Sequence, residues 1–322
     1  MKTKKVPVID LSISIVNTSN WIYLKPCLES IYKNIKGITF EILVVDNVSD
    51  DGSQEKIRDF FPEVILSINQ QRYGFAKNNN INLRKASGRY VMLLNDDTLL
   101  LPGSIENGIN FLDTNLDVGA IGCKMVNPDG TYQVASARKF RTLYTEILIE
   151  TGLNRNVLYI DPTLKSPNQN SIEIDYPSEA GMILRREVID KVGYLDEQFF
   201  MYGEGADWFK RIKKAGFKIV YIPTCPIIHF GGETNKRMKI GMYIQYYKSK
   251  YLLFQKDNKF TGLLYRLLII VFFLMKRLYL LLVSSMAQDN QRLKNMELLN
   301  YYNALLDFML RRFKDINYPF PN

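Results

Sequence analysis

Short apolar, β-branched runs bounded by polar turns recur along the first third of the chain, at residues 11–16 (LSISIV), 41–45 (EILVV), 64–68 and 90–94. Between the first two, residues 21–36 place Leu24, Leu28, Ile31 and Tyr32 at helical spacing, and 54–60 and 74–86 read as two further helices. Strands alternating with helices predict βαβ units and an α/β fold with a mixed, mostly parallel central sheet, which collects ligand chemistry at the carboxyl ends of its strands. Residues 127–180 are less regular and predict loops, short strands and one helix near 141–151. The alternation then returns with a helix at 186–191 and a helix at 207–215 closed by Gly216. A strand follows at 218–222, stopped by Pro223. The remainder reads as two or more helices, among them the strongly apolar 263–283.

Composition divides the chain in two. At 322 residues and 47% hydrophobic it can bury a large core, which excludes a disordered protein. The net charge of +9 is uneven: from Glu233 onward there are 15 Lys or Arg against 6 Asp or Glu, and 27 against 27 before it. That asymmetry argues against a nucleic-acid binder and for a neutral globular domain, 1–232, followed by a basic, apolar helical region, 233–322. Cys27, Cys123 and Cys225 lack metal-ligand spacing and read as reduced thiols in a cytoplasmic setting. Lys2, Lys4 and Lys5 resemble the start of a signal peptide, but Pro7 and Asp10 interrupt the apolar run that should follow. Within 263–283, Arg266, Lys276 and Arg277 leave only 267–275 uninterrupted, too short to span a bilayer. With its aromatics and flanking cations the segment predicts an in-plane membrane helix, or a helical hairpin packed on protein or in a homodimer.

Three polar clusters follow apolar runs. DNVSDDGS, 46–53, puts Asp46 at a strand end among turn residues. LLNDDTLLLPGS, 93–104, delivers Asn95, Asp96 and Asp97 to another; adjacent carboxylates there repel unless they share a hard divalent cation, the alternative being a solvated turn. The chain's only histidine, His229, lies in IIHFGG, where a structural histidine and a ligand-facing one are both open readings. No GxGxxG follows the first strand and no GxxxxGK[ST] occurs, which counts against dinucleotide-binding and P-loop sites.

Taken in order, SISIVNTSNWIYLKPCLESI, EILVVDNVSDDGS, YGFAKNNNINLRKASGRYVMLLNDDTLLLPGS, VGAIGCKMVNPDGTYQ, the stretch from AGMILRREVID to FKIVYIP, and IIHFGG resemble the family 2 glycosyltransferases of GT-A fold, particularly their rhamnosyltransferase-like branch. The resemblance spans residues 11 to about 232. It implies inverting transfer of a sugar from a dTDP- or UDP-linked donor to a glycan or lipid-linked acceptor, in bacterial surface polysaccharide synthesis at the inner face of the cell membrane. It also implies nucleotide binding by Asn17, Thr18, Asp46, Asn80, Asn95 and Asp96, and a divalent Mn2+ or Mg2+ held by Asp97 and His229.

The same resemblance points to an E-D-x-D segment, whose second residue is the usual base that takes the acceptor's proton. Here the four residues are Glu204, Gly205, Ala206 and Asp207. Three readings follow. Glu204 serves as base; another carboxylate such as Glu179 or Asp207 takes over; or the protein binds donor with little or no transfer. Asp207 also has a structural reading as the N-cap of the following helix.

Overall fold

A computed structural model describes residues 9–161, 171–231, 240–285 and 288–312. The lysine-rich N-terminus and the sequence boundary at 232/233 lie outside the described residues. In chain order the elements are β1 (Leu11–Asn17), α1 (Trp21–Asn34), β2 (Phe40–Asp46), α2 (Ser53–Phe60), β3 (Ile65–Ile68), α3 (Phe75–Lys85), β4 (Tyr90–Asn95) and β5 (Thr98–Leu100). There follow α4 (Ser104–Thr114), β6 (Val118–Val126), β7 (Ala137–Arg138), α5 (Leu143–Glu150), β8 (Ile172–Glu173), β9 (Tyr176–Pro177), β10 (Gly181–Arg185), α6 (Arg186–Val192), α7 (Glu204–Lys214) and β11 (Lys218–His229). The C-terminal helices are α8 (Ile240–Asp257), α9 (Lys259–Ser285) and α10 (Asp289–Asp307).

One sheet, ordered β3-β2-β1-β4-β10-β6-β11-β5 with β8 beside β11, carries the first compact unit. β1, β2, β3 and β4 run parallel, β10 is antiparallel to both β4 and β6, and β11 is parallel to β6. The sheet is therefore mixed and mostly parallel. Ile13, Ile15, Val44, Met92 and Ile183 are shielded from water on the strand faces, a burial that gives β-branched runs their advantage there. The asparagines of α3 are buried. Asn82 Nδ2 donates to Ser14 Oγ and to the carbonyls of Ile15 and Leu43, joining the helix to β1 and β2.

Three strands escape the sequence reading. β6 and β10 are central, and β5 is too short to show periodicity. β11 is not stopped at Pro223: it continues to His229 through an irregularity between Ile222 and Pro226. An irregularity is where a strand tolerates residues without an N–H. Beyond it, β11 pairs antiparallel with β5, setting His229 opposite Thr98. Cys123 and Cys225, distant in sequence, are buried free thiols with sulfurs 3.2 Å apart.

The second compact unit holds the C-terminal helices together with Thr142–Arg155 and Gln198–Gly203. The helical region thus takes in two segments from the stretch the sequence assigns to the globular domain. Its core is aromatic and aliphatic, with Tyr247, Phe254, Tyr265, Ile269, Phe273 and Leu305 among its members. Lys250 Nζ is buried there, 2.7 Å from Glu146 Oε2 and 3.0 Å from Glu150 Oε1. The expectation of a short apolar run is corrected here. α9 is one unbroken helix of 27 residues, long and apolar enough to cross a bilayer by length and composition, and most of its apolar surface is exposed. Arg266 does not interrupt it, because its guanidinium Nε donates to the Met309 carbonyl.

Candidate active site

The parallel strands bring Asn17, Asp46 and Asn95 to one edge of the sheet, where Asn17 pairs in register with Asp46 and Val16 with Asn95. Asp46 is fully buried. Its carboxylate accepts from Asn17 Nδ2 at 3.1 Å, Ser49 N at 3.0 Å and Gln54 Nε2 at 2.8 Å, so it ties the β2 loop to the end of β1. Thr18, next to it, is exposed. Asn80 likewise faces inward: its amide donates to the Leu195 carbonyl and Glu197 Oε1, and its carbonyl accepts from Leu195 N. A small void of about 10 Å³ at this edge, room for about one water, is bordered by Phe75 and Asn79 of α3 and by Asn95 and Glu179. Sequence reasoning passed over Phe75 and Asn79, although Asn79 stands within the quoted GFAKNNN.

The β4–β5 turn carries the acidic pair. Burial, reinforced by the charge of Asp97, pushes the Asp96 carboxyl up to about 7, against a hydrogen bond from Asn20. Two adjacent carboxylates in a partly shielded turn cannot both ionise cheaply without a cation. The β5–β11 pairing supplies a neighbour, since Phe230 N donates to the Asp97 carbonyl and His229 Nε2 lies 3.3 Å from Asp97 Oδ1.

Gln133 decides what that nitrogen offers. Its amide Nε2 donates to the His229 carbonyl at 2.6 Å and to Asn127 Oδ1 at 2.7 Å. Gln133 Oε1 therefore faces His229 Nδ1, 2.9 Å away, as an acceptor. Nδ1 then carries a proton, and Nε2 is the ring nitrogen directed at Asp97. Asp97 Oδ1 is buried and accepts no hydrogen bond. A carboxylate oxygen and an imidazole nitrogen at this spacing suit adjacent ligands of one small cation, the imidazole being held through its other nitrogen. No third His, Cys, Asp or Glu joins them among the described residues.

The acids of the other wall behave differently. α7 begins at Glu204, three residues before the expected start, so Asp207 is not its N-cap. Asp207 Oδ2 instead sits 3.0 Å from Arg211 Nε, while the other guanidinium nitrogens hold the carbonyls of Val192 and Tyr194. That ion pair anchors α7 to the end of α6. Glu204, in the first turn, is buried. Gly205 packs directly against Glu179.

The family model described as "Glycosyl transferase family 2" matches residues 12–193. A curated N-acetylglucosaminyl-diphospho-decaprenol L-rhamnosyltransferase of Mycobacterium tuberculosis is 27% identical over 230 residues, covering 66% of this chain and 73% of its own. Rhamnosyltransferase WbbL of Escherichia coli is 25% identical over 231 residues, 70% of this chain and 84% of its own. Among solved structures, the mannosyltransferase PcManGT of Pyrobaculum calidifontis in complex with GDP-Man and Mn2+ is similar with a TM-score of 0.53 at 15% identity, covering 96% of this chain and 83% of that one. That likeness, with the sheet order above, identifies the fold as GT-A.

Proposed function

Since the chain belongs to glycosyl transferase family 2, we propose that it transfers a hexosyl or rhamnosyl group, with inversion, from a dTDP- or UDP-linked donor to the hydroxyl of a glycan or lipid-linked acceptor in surface polysaccharide synthesis. The observation that carries the metal-dependent form of this reading is the approach of His229 Nε2 to Asp97 Oδ1 at 3.3 Å. Asp97 and His229 would hold Mn2+ or Mg2+. When bound, such an ion neutralises the charge gathering on the departing diphosphate. Thr18, exposed beside Asn17, and Asn95 at the end of β4 offer polar groups to the nucleotide and sugar, while Asp46 keeps the β1 and β2 loops in place for them. A lipid-linked acceptor fits the decaprenol-linked acceptor of the Mycobacterium tuberculosis relative and the exposed apolar surface of α9, which we place at the inner face of the cell membrane.

Thermal shift with UDP, dTDP and GDP, each with and without Mn2+, tests this reading. Metal-dependent stabilisation by at least one nucleotide is expected, and Asp97→Ala should abolish it. Nucleotide binding that ignores both metal and Asp97→Ala would remove the metal from the site.

A further inference from the structure

Gly205 stands where the resemblance places the base aspartate, and the structure has filled the vacated space from another part of the chain. A Cβ built on Gly205 would lie 2.6 Å from the Glu179 carboxyl carbon and 2.9 Å from its Cγ, with Oε1 closer still. Real Cβ atoms do not approach neighbours that closely, so a side chain at 205 would require the Glu179 carboxylate, the free end of its side chain, to move from its present place. We propose that Glu179 is the general base of the transfer, reaching from the β9–β10 turn the place that a carboxylate on residue 205 would occupy. The assignment rests on the glycosyl-transfer reading above.

The surroundings suit that task. Glu179 borders the same small void as Asn95, at the end of the strand that carries the acidic turn. The next residue is tied to the acidic turn, since Asn95 N donates to the Ala180 carbonyl at 3.0 Å. Arg138 Nη2 lies 3.1 Å from Oε2, which orients the carboxylate and leaves Oε1 as the oxygen beside Gly205. Arg138 is itself held, paired with Tyr176 across β7 and β9 with its guanidinium 4.9 Å from the Tyr176 ring centroid. The Glu179 side chain is 19% exposed, against 5% for the whole of Glu204. Asp207 is committed to Arg211. Among the three carboxylates Glu179 is the one placed to meet an acceptor.

In the step, the acceptor oxygen bonds to the anomeric carbon as its O–H bond breaks and the proton passes to Glu179 Oε1. The bond between that carbon and the diphosphate oxygen breaks, its electron pair leaving with the nucleoside diphosphate. Glu179 then gives the proton to water.

The test measures nucleoside diphosphate release from a panel of dTDP-, UDP- and GDP-sugars, with a lipid-linked GlcNAc diphosphate as acceptor and Mn2+ present. Glu179→Gln should lower kcat by about 10²–10⁴-fold, with donor KM and thermal-shift binding of the free nucleotide unchanged and the acidic limb of the pH–kcat profile lost. Gly205→Asp alone should not raise turnover, because the added side chain displaces the Glu179 carboxylate from its present place. Combining Gly205→Asp with Glu179→Gly moves the carboxylate from one backbone to the other and should restore at least a tenth of wild-type kcat. Retention of kcat within threefold by Glu179→Gln, or a gain in turnover from Gly205→Asp alone, overturns the assignment while leaving the glycosyl-transfer reading intact. A wild-type protein that binds nucleotide but turns over no donor overturns both.

Discussion

Gln133 touches no expected ligand, yet its amide fixes which nitrogen of His229 carries a proton. Both of its Nε2 hydrogens are spent on oxygens, so Oε1 can only accept. Gln133→Ala frees the imidazole to rotate and to change tautomer. Mn2+ affinity, titrated in the presence of the best-binding nucleotide, should fall about 10–100-fold with little change in thermal stability; an unchanged affinity would show that Asp97 alone orients the metal. The residue scale also separates polar groups of similar appearance. Asn80 and Asp46 read from the sequence as ligand-facing, yet both are buried and bonded within the protein. Asn79, one residue before Asn80, is buried as well, its Oδ1 accepting from Ser14 Oγ and its Nδ2 donating to the Phe75 carbonyl. Only the helix's docking on the sheet determines which partner each asparagine finds.

Pairing between elements decides what the motifs become. Asp97 and His229 belong to separate clusters until β11 passes Pro223 and Pro226 and lays its last residues against β5. The sequence reading ended the strand at Pro223 and so left His229 in a loop. In the helical unit, α5 and α8 are joined by Lys250 between Glu146 and Glu150, with Tyr247 Oη donating to Glu150 Oε2 at 3.0 Å. Removing the ammonium from so dry a site leaves two carboxylates facing each other. Lys250→Met should cost about 3–5 kcal/mol in urea denaturation of the full chain, and adding Glu146→Leu and Glu150→Leu should recover much of the loss. A single substitution costing under 1 kcal/mol would mean that water reaches the cluster.

Across the whole molecule, the helical unit buries one stripe of α9, formed by Tyr265, Ile269, Phe273 and Leu280, and leaves Leu267, Val271, Leu274, Leu278 and Leu282 exposed. An apolar surface of that extent calls for an apolar partner. Leu274→Glu combined with Leu278→Glu should weaken cosedimentation with anionic phospholipid vesicles at least about tenfold, with nucleotide binding unaffected; undiminished cosedimentation would exclude this face from the membrane contact. The alternation of strands and helices, the acidic strand end, the charge asymmetry and the missing aspartate at 205 were all legible in the chain, because periodicity and local spacing are properties of neighbouring residues. The central strands β6 and β10, the tautomer of His229 and the recruitment of 142–155 and 198–203 into the helical unit were not. They depend on contacts between segments far apart in sequence, whose pairing is selected by the energy of the whole core. Gly205 shows the division most clearly: the sequence by itself determined that a carboxylate is lacking there, and only the tertiary structure, by folding the β9–β10 turn against α7, decided that Glu179 occupies its place.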